Sequence, residues 1–377
     1  MNWTNSHPLS VSPSGMGRSK ILALAPLADH TDSPFCRVCR KVNNTPLTPL
    51  KRGNFVVFRE MVSAEAIVRG SVKTLKMCEF KRAERPIVIQ VFGGKPDVVV
   101  KAVEMVVKKF KPDGIDINMG CPVSKIARKG ESGAALMKDQ DRACEIVRNV
   151  KKILPKNIPL SVKTRLGWQD PEDILEFAPK LEKAGADLIT IHGRTKMQGY
   201  SGKADWEMIG RAKKKVNIPV IANGDIISDN FDECLKITGA DGLMIGRGAL
   251  GNPWVFNHLC HSELDSESFK SISVKRKIPD QVRDDPDTTS TEVSDYGASS
   301  DVIGNNSVSL KEIIKTVLYH AKLHEKRYGT LVSFRKHLMW YFKGTRVKIS
   351  ELKKLRQELA QVKTRKDLKK ILKKLRN

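Results

Sequence analysis

The stretch GIDINMGCPVSKIARKG, residues 114–130, carries a short apolar run into Asn118, then Gly120, Cys121 and Pro122, with Lys125, Arg128 and Lys129 following. A thiol at such a turn can act as a nucleophile or as a proton donor. A lone cysteine is otherwise a small core hydrophobe. Cys121, however, follows a glycine at a strand end and precedes a proline, which puts it on a loop. It has no CxxC partner, which argues against disulfide exchange. The pair at 36–39, CRVC, is a single CxxC on a helical pattern, and no second ligand pair at metal-binding spacing accompanies it. No metal site is expected. His320 and His324 have i, i+4 spacing but lack the HExxH pattern, so they read as surface or packing residues.

Further chemistry-bearing residues sit at the ends of other apolar runs. Lys163 and Arg165 lie two apart in LSVKTRL (160–166), so both point from one strand face into one pocket. His192 ends LITIHGR (188–194). A cation beside the N1–C2=O edge of a flavin would stabilise the anionic reduced ring, and Gln90 could hydrogen-bond the ring edge. Spacing alone does not single out a flavin, and a surface or ion-paired role fits each of these side chains as well. GRGALG (246–251) formally satisfies GxGxxG, but a dinucleotide fold also wants a following βαβ unit and an acidic residue about 20 positions on. A polar stretch follows instead. In a barrel, Asn223, Gly224 and Asp225 of ANGD, with Gly246 and Arg247, occupy the loops after the seventh and eighth strands, where phosphate sites form. That reading is favoured and implies a phosphorylated cofactor or substrate.

The elements that must hold these residues are legible. Eight β-rich runs recur: 21–28, 54–61, 86–93, 114–120, 160–166, 188–194, 219–225 and 242–248. Most are continuously apolar, as strands covered on both faces are. Helical patterns lie between them, such as 97–110 and 171–185. The alternation predicts an α/β fold, a (β/α)8 TIM barrel over residues 20–260, with a doubly wound sheet as the alternative. Pro26, Glu60 and Arg194 also fall at strand ends. All these ends converge at one mouth of a barrel, where active sites are built.

Residues 1–19 read as a loose leader without an apolar signal core, which predicts a cytoplasmic protein. No stretch approaches the length of a membrane helix. Residues 261–308 are rich in Ser, Asp, Thr and Lys and read as a disordered linker, and 43–53 as a smaller loop insertion. From 309 to 377 helical patterns return, predicting a small bundle of three or four helices whose last member is amphipathic. The chain carries 67 Lys and Arg against 42 Asp and Glu, a net charge of +25. Residues 309–377 hold 21 of the basic and 5 of the acidic side chains, a net +16. Such a basic region suits a polyanion such as nucleic acid, or an anionic membrane surface, unless it is only a solvated helical face. Seven cysteines, an odd number without a secretion signal, argue against a disulfide framework.

Taken together, LAPLADHTDSPFCRVCRK, DINMGCPVSKIARKGESGAALM, VKTRLGW, ITIHGRTKMQGYSGKADWEMI, ADGLMIGRGALGNPWVF and RKHLMWYFKG resemble the tRNA-dihydrouridine synthases, with the bacterial B-type enzymes most similar. The resemblance spans about 20–258 and 309–360. It implies an FMN enzyme that uses NADPH to reduce the C5=C6 bond of particular uridines in tRNA, with a catalytic barrel followed by a helical domain that grips the RNA. It implies hydride from flavin N5 to C6 and a proton from Cys121 to C5. Pro26, Leu27 and Ala28 match the stretch along the isoalloxazine, Gln90, Lys163 and His192 match flavin contacts, and Asn223, Gly224, Asp225, Gly246 and Arg247 match the ribityl-phosphate end. Asn118 and Arg165 match positions on the uracil edge. Arg335, Lys336 and His337 of RKHLMWYFKG are carried over as tRNA contacts, with Trp340 and Tyr341 divided between RNA and bundle core. A monomer is expected, with no protein partner.

One departure is APLADH where the family reads APMAG, which places Asp29 and His30 beside the flavin loop. Two other readings share parts of this pattern. A flavin reductase of a small molecule would share the barrel but leave the basic tail unexplained. A non-catalytic RNA-binding protein would not need the full set of polar strand ends.

Overall fold

The computed structural model describes residues 20–43, 55–123, 131–260, 308–343 and 349–375. The leader, most of the 43–53 insertion, all but the last residue of the 261–308 linker and the cations at 125, 128 and 129 lie outside the described residues.

Nine strands form one parallel sheet: β1 (Ile21–Leu24), β2 (Phe55–Phe58), β3 (Val62–Ser63), β4 (Ile87–Phe92), β5 (Gly114–Met119), β6 (Leu160–Arg165), β7 (Leu188–His192), β8 (Val220–Asn223) and β9 (Gly242–Ile245). β1 pairs with both β2 and β9, and β2 pairs with β4, so the sheet closes. The two-residue β3 pairs with the end of β4. It resumes the line of β2 after a break at Arg59–Met61, so the run expected at 54–61 is a strand, a kink and a short second piece. The break coincides with a buried ion pair, Arg59 Nη1 to Glu84 Oε2 at 3.0 Å. The chain is therefore a closed eight-stranded TIM barrel with one strand divided, and not a doubly wound sheet.

Alternation along the strands sorts the core into two. Ile21, Ala23, Val56, Phe58, Ile221 and Met244 pack inside the barrel. Leu22, Leu24 and Val57 face outward and join the larger cluster under the helices. Those helices are α1 (Ser33–Val42), α2 (Ala64–Val68), α3 (Val72–Cys78), α4 (Pro96–Phe110), α5 (Gln140–Ile153), α6 (Ile174–Ala184), α7 (Trp206–Lys213) and α8 (Phe231–Thr238). α4 shows why they form: Pro96 opens the first turn, and Val99, Ala102, Val103 and Val106 are buried on one face. Each fully buried valine there stabilises the packing by about 1.5–3 kcal/mol.

Beyond the barrel come α9 (Leu310–Tyr328), α10 (Arg335–Tyr341), α11 (Ile349–Ala360) and α12 (Arg365–Lys373). Their shared core includes Val317, Phe334, Leu338, Tyr341, Leu359 and Leu368, with Trp254 inserted from the barrel side. α12 is capped by Thr364, buries Leu368 and Leu372, and exposes Lys366, Lys369, Lys370 and Lys373. Gly251 lies where the two units meet. Its φ is +74°, and a Cβ there would stand 2.2 Å from the Trp340 carbonyl oxygen. The last glycine of GRGALG therefore permits close approach of two backbones.

Candidate active site

The barrel interior is apolar on one side and polar on the other. Register places Gln90 beside Asp116, Asp116 beside Ser161, Asn118 beside Lys163, and Arg165 beside His192, which is beside Asn223. Buried polar groups persist only when partnered, and here they are joined in chains. Gln90 Nε2 donates to Asp116 Oδ2 at 2.6 Å, Ser161 Oγ to Asp116 Oδ1 at 2.5 Å, and Asn118 Nδ2 to Gln90 Oε1 at 2.8 Å. Burial pushes the Asp116 carboxyl up to about 6.

Asn118 uses its other amide atom on the loop. Its Oδ1 accepts from the backbone N–H of Gly120 at 3.1 Å and of Cys121 at 2.9 Å. This turn fixes where the thiol leaves the strand. Arg165 holds the same loop from the next strand, donating from Nε to the Gly120 carbonyl at 2.8 Å. Its Nη1 donates to the carbonyls of Thr195 and Gly199 at 2.9 and 2.8 Å. Cys121 is half-buried, and burial raises its thiol above the ordinary value despite the nearby Arg165 and Lys163 cations. The group is thus a protonated thiol at neutral pH.

Lys163 Nζ donates to Asn223 Oδ1 at 2.9 Å, and Asn223 Nδ2 donates to the Met244 carbonyl at 2.7 Å. Burial, helped by Arg165, brings the Lys163 ammonium down to about 8. His192 is neutral: burial lowers it well below its ordinary value, and the Arg165, Lys163, Arg194 and Arg247 cations push the same way. Asp225, at φ +53°, is clamped by Arg194 Nη2 at 2.6 Å, the Ala204 N–H at 2.8 Å and Arg247 Nη2 at 3.3 Å. Two guanidinium groups on one carboxylate leave this corner net cationic. Gly224, at φ +116°, has no room for a Cβ, which would lie 2.8 Å from His192 Cδ2. A Cβ on Gly246 would meet Ala25 and Leu27 at 3.6 and 3.7 Å, ordinary contact distances that place Gly246 beside the 26–28 turn. Leu27 is pinned by a bond from its N–H to Thr31 Oγ1 at 2.9 Å, and the Ala28 carbonyl lies 3.0 Å from His30 Nδ1. Pro26 and Leu27 are half-buried and Ala28 is exposed.

The structure therefore gathers Gln90, Asn118, Cys121, Lys163, Arg165, His192, Asn223, Gly224, Asp225, Gly246, Arg247 and the 26–28 turn at one barrel mouth. Arg335, Lys336 and His337 lie apart, on α10. His337 corrects its expectation. It is 0 % exposed and packs against the Phe35 and His320 rings at 5.3 and 4.6 Å, so it cannot reach RNA as placed. Arg335 donates from Nε to the Val362 carbonyl at 2.9 Å and so closes the bundle, while Lys336 is half-buried. Tyr341 belongs to the bundle core, and Trp340 is half-buried against the barrel.

Two site residues escaped the sequence reading. Asp116 was available from the period-two rule, since it is two residues before Asn118 in a strand. Tyr200 gave no such signal, because it sits on the loop after β7. Arg165 and Arg247 both stand over its ring, at 5.5 and 5.2 Å.

A family model described as dihydrouridine synthase matches residues 23–377. The probable tRNA-dihydrouridine synthase 1 of Synechocystis is 40 % identical over 257 residues, which cover 67 % of this chain and 68 % of that protein. The probable tRNA-dihydrouridine synthase of Aquifex aeolicus is 39 % identical over 234 residues, 62 % of this chain and 70 % of the relative. The tRNA-dihydrouridine synthase B of Pseudomonas syringae pv. tomato is 36 % identical over 254 residues, 67 % and 71 % of the two chains.

Proposed function

The chain belongs to the dihydrouridine synthase family, and on that premise we propose that it reduces the C5=C6 bond of uridines in tRNA to dihydrouridine, with FMN as cofactor and NADPH as reductant. The observation that carries this reading is the placing of the Cys121 thiol on a loop held from both sides, by Asn118 Oδ1 and by Arg165 Nε.

The pocket suits the cofactor. The 26–28 turn, with Leu27 beside Gly246, would take a ring edge, and the cationic corner of Arg194, Asp225 and Arg247 would take a phosphate. When bound, the flavin supplies the hydride for C6. Lys163 offers a positive charge below pH about 8, Gln90 an amide, and His192 a neutral hydrogen-bonding ring. Cys121 Sγ holds a proton that burial keeps from leaving early, and gives it to C5 as general acid. Asn118 and Arg165 spend their polar atoms largely on contacts within the protein. They therefore act on the uracil chiefly by fixing the loop, with Arg165 also presenting its face to Tyr200.

A uridine in folded tRNA must leave its stack to reach a barrel mouth, at a cost of a few kcal/mol. Phosphate contacts offset that cost, and the exposed lysines of α12 are positioned to supply them. In this reading residues 309–377 dock the RNA over the site formed within 20–260. No described helix is long and apolar enough to cross a membrane, and we read the enzyme as a cytoplasmic monomer.

The test is to incubate the purified protein with NADPH and unmodified tRNA and to map dihydrouridine by mass spectrometry, after recording the visible flavin spectrum. A yellow protein that forms dihydrouridine is expected. A folded, yellow protein that leaves every uridine intact while reducing a small enone would overturn the assignment of substrate.

A further inference from the structure

α9 and α10 close over the start of α1, and three histidines meet there. His320, His324 and His337 are 0, 1 and 0 % exposed, and Asp32 is 4 % exposed. One ligand atom from each of Asp32, His320 and His337 lies within 4.8 Å of the others. His324 Nδ1 stands 3.6 Å from Asp32 Oδ2 and so brings a fourth donor to the same carboxylate. Four of the six ring nitrogens have no hydrogen-bond partner: His320 Nε2, His324 Nδ1 and both nitrogens of His337. Buried polar atoms are rarely left this way, and burying them without partners is costly. Such a concentration in one place points to a shared ligand.

The two partnered nitrogens decide which atoms face the cluster. His320 Nδ1 is 3.2 Å from the Tyr341 hydroxyl, and His324 Nε2 is 2.8 Å from Ser333 Oγ. In the tautomers that a metal requires, His320 Nδ1–H donates to Tyr341 and His324 Nε2–H to Ser333, which leaves the lone pairs on Nε2 and Nδ1. Metal-binding histidines are held in this manner, the outer nitrogen bonded and the inner one bare. Asp32 keeps one oxygen on the Phe35 N–H at 2.9 Å, as the cap of α1, and turns the other toward the histidines.

We propose that Asp32, His320 and His337, joined by His324, form a divalent metal site suited to Zn²⁺ at the seam between the barrel and the helical domain. Imidazole nitrogens with one carboxylate are ligands that zinc takes in four-coordinate sites. Tetrahedral bonds of about 2.0–2.1 Å put ligand atoms about 3.4 Å apart, so binding draws the present cluster inward by small side-chain rotations. The i, i+4 pair alone lacked the remaining ligands. The fold supplies Asp32 from the barrel and His337 from the next helix. The ion would tie the helical domain to the segment that follows the 26–28 turn. This inference stands independently of the proposed function.

The test uses the full-length protein grown with added zinc. Elemental analysis is expected to give about one zinc per chain, and the zinc X-ray absorption spectrum a shell of nitrogen and oxygen at about 2.0–2.1 Å without sulfur at about 2.3 Å. Chelation should lower the melting temperature by a few degrees, and zinc chloride alone should restore it. His337→Gln and His320→Gln should lose the zinc and the response, and Tyr341→Phe, which keeps every ligand, should bind zinc at least about tenfold more weakly. Far less than one zinc per chain, a sulfur shell, or unchanged binding in folded His337→Gln would each overturn the site. If the glutamine variants do not fold, the stoichiometry and shell of the native chain still decide.

Discussion

The side-chain oxygen of Asn118 accepts the backbone N–H of Cys121 at 2.9 Å, while its amide donates to Gln90 at 2.8 Å. One residue therefore joins the buried polar wall of the barrel to the loop that carries the thiol. Arg165 fastens the same loop at the Gly120 carbonyl. The Cys121 sulfur is positioned by two strands and not by its own loop alone.

Asn118→Ala removes the anchor and leaves two N–H groups and the Gln90 oxygen without it. A stability loss of about 1–3 kcal/mol is expected from the buried groups left unpaired. A loss of turnover beyond tenfold should accompany it, with flavin content retained. Thermal unfolding and steady-state rates on the yellow variant check this.

The pH dependence of stability should carry the mark of Asp116. Its carboxyl is raised to about 6 by burial, so between about 4 and 6 the folded chain binds more protons than the unfolded one. Stability from this group is present at low pH and is lost as pH rises through about 6. Asp116→Asn lacks that loss, because its oxygen can accept from Gln90 and Ser161 can turn to accept from its amide. The stability difference between the variant and the parent should grow from pH 4 to 6, by at most about 3 kcal/mol, and then level off. Denaturant melts across that range measure it.

Lys163 titrates at about 8. Turnover should fall as pH rises through that value, since the cation beside the cofactor edge is lost. Cys121, raised above its ordinary value, would give up its proton only at higher pH. In Lys163→Met the limb near 8 should vanish and the rate at pH 7 drop by about 10–100-fold, as a pH–rate profile would show.

Much of this was legible in the sequence because barrel strands are chemically distinctive. Eight apolar runs gave the fold, and the residues that break them at their C-terminal ends gave most of the mouth. The kink at Arg59–Met61 was not legible, since it coincides with a pairing of Arg59 to Glu84 from a distant turn. His337 was misread for a related reason. RKHLMWYFKG looks like a basic-aromatic surface, but one helical face of it turns inward, and which face does so is set by α1 and α9. Composition reports the charge of a helix without reporting which side is buried.

Gly251→Ala should separate the two halves of the molecule. Its Cβ has no room beside the Trp340 carbonyl and its φ is positive, so the helical domain must shift. Flavin binding should persist while tRNA affinity falls more than tenfold, which spectroscopy and filter binding on the same sample would show.

Neutralising Lys366, Lys369, Lys370 and Lys373 on the exposed face of α12 should weaken tRNA binding without changing flavin reduction by NADPH. The slope of log affinity against log salt should fall by roughly one for each lysine that contacts a phosphate.

The most direct measurement is a single turnover of Cys121→Ala, split into its two halves. Flavin reduction by NADPH should proceed at the parent rate. Reoxidation of the reduced enzyme by unmodified tRNA, followed by dihydrouridine formation, should be slower by about 10²–10⁴-fold. Reoxidation by tRNA at the parent rate would contradict the assignment of Cys121 as the proton donor.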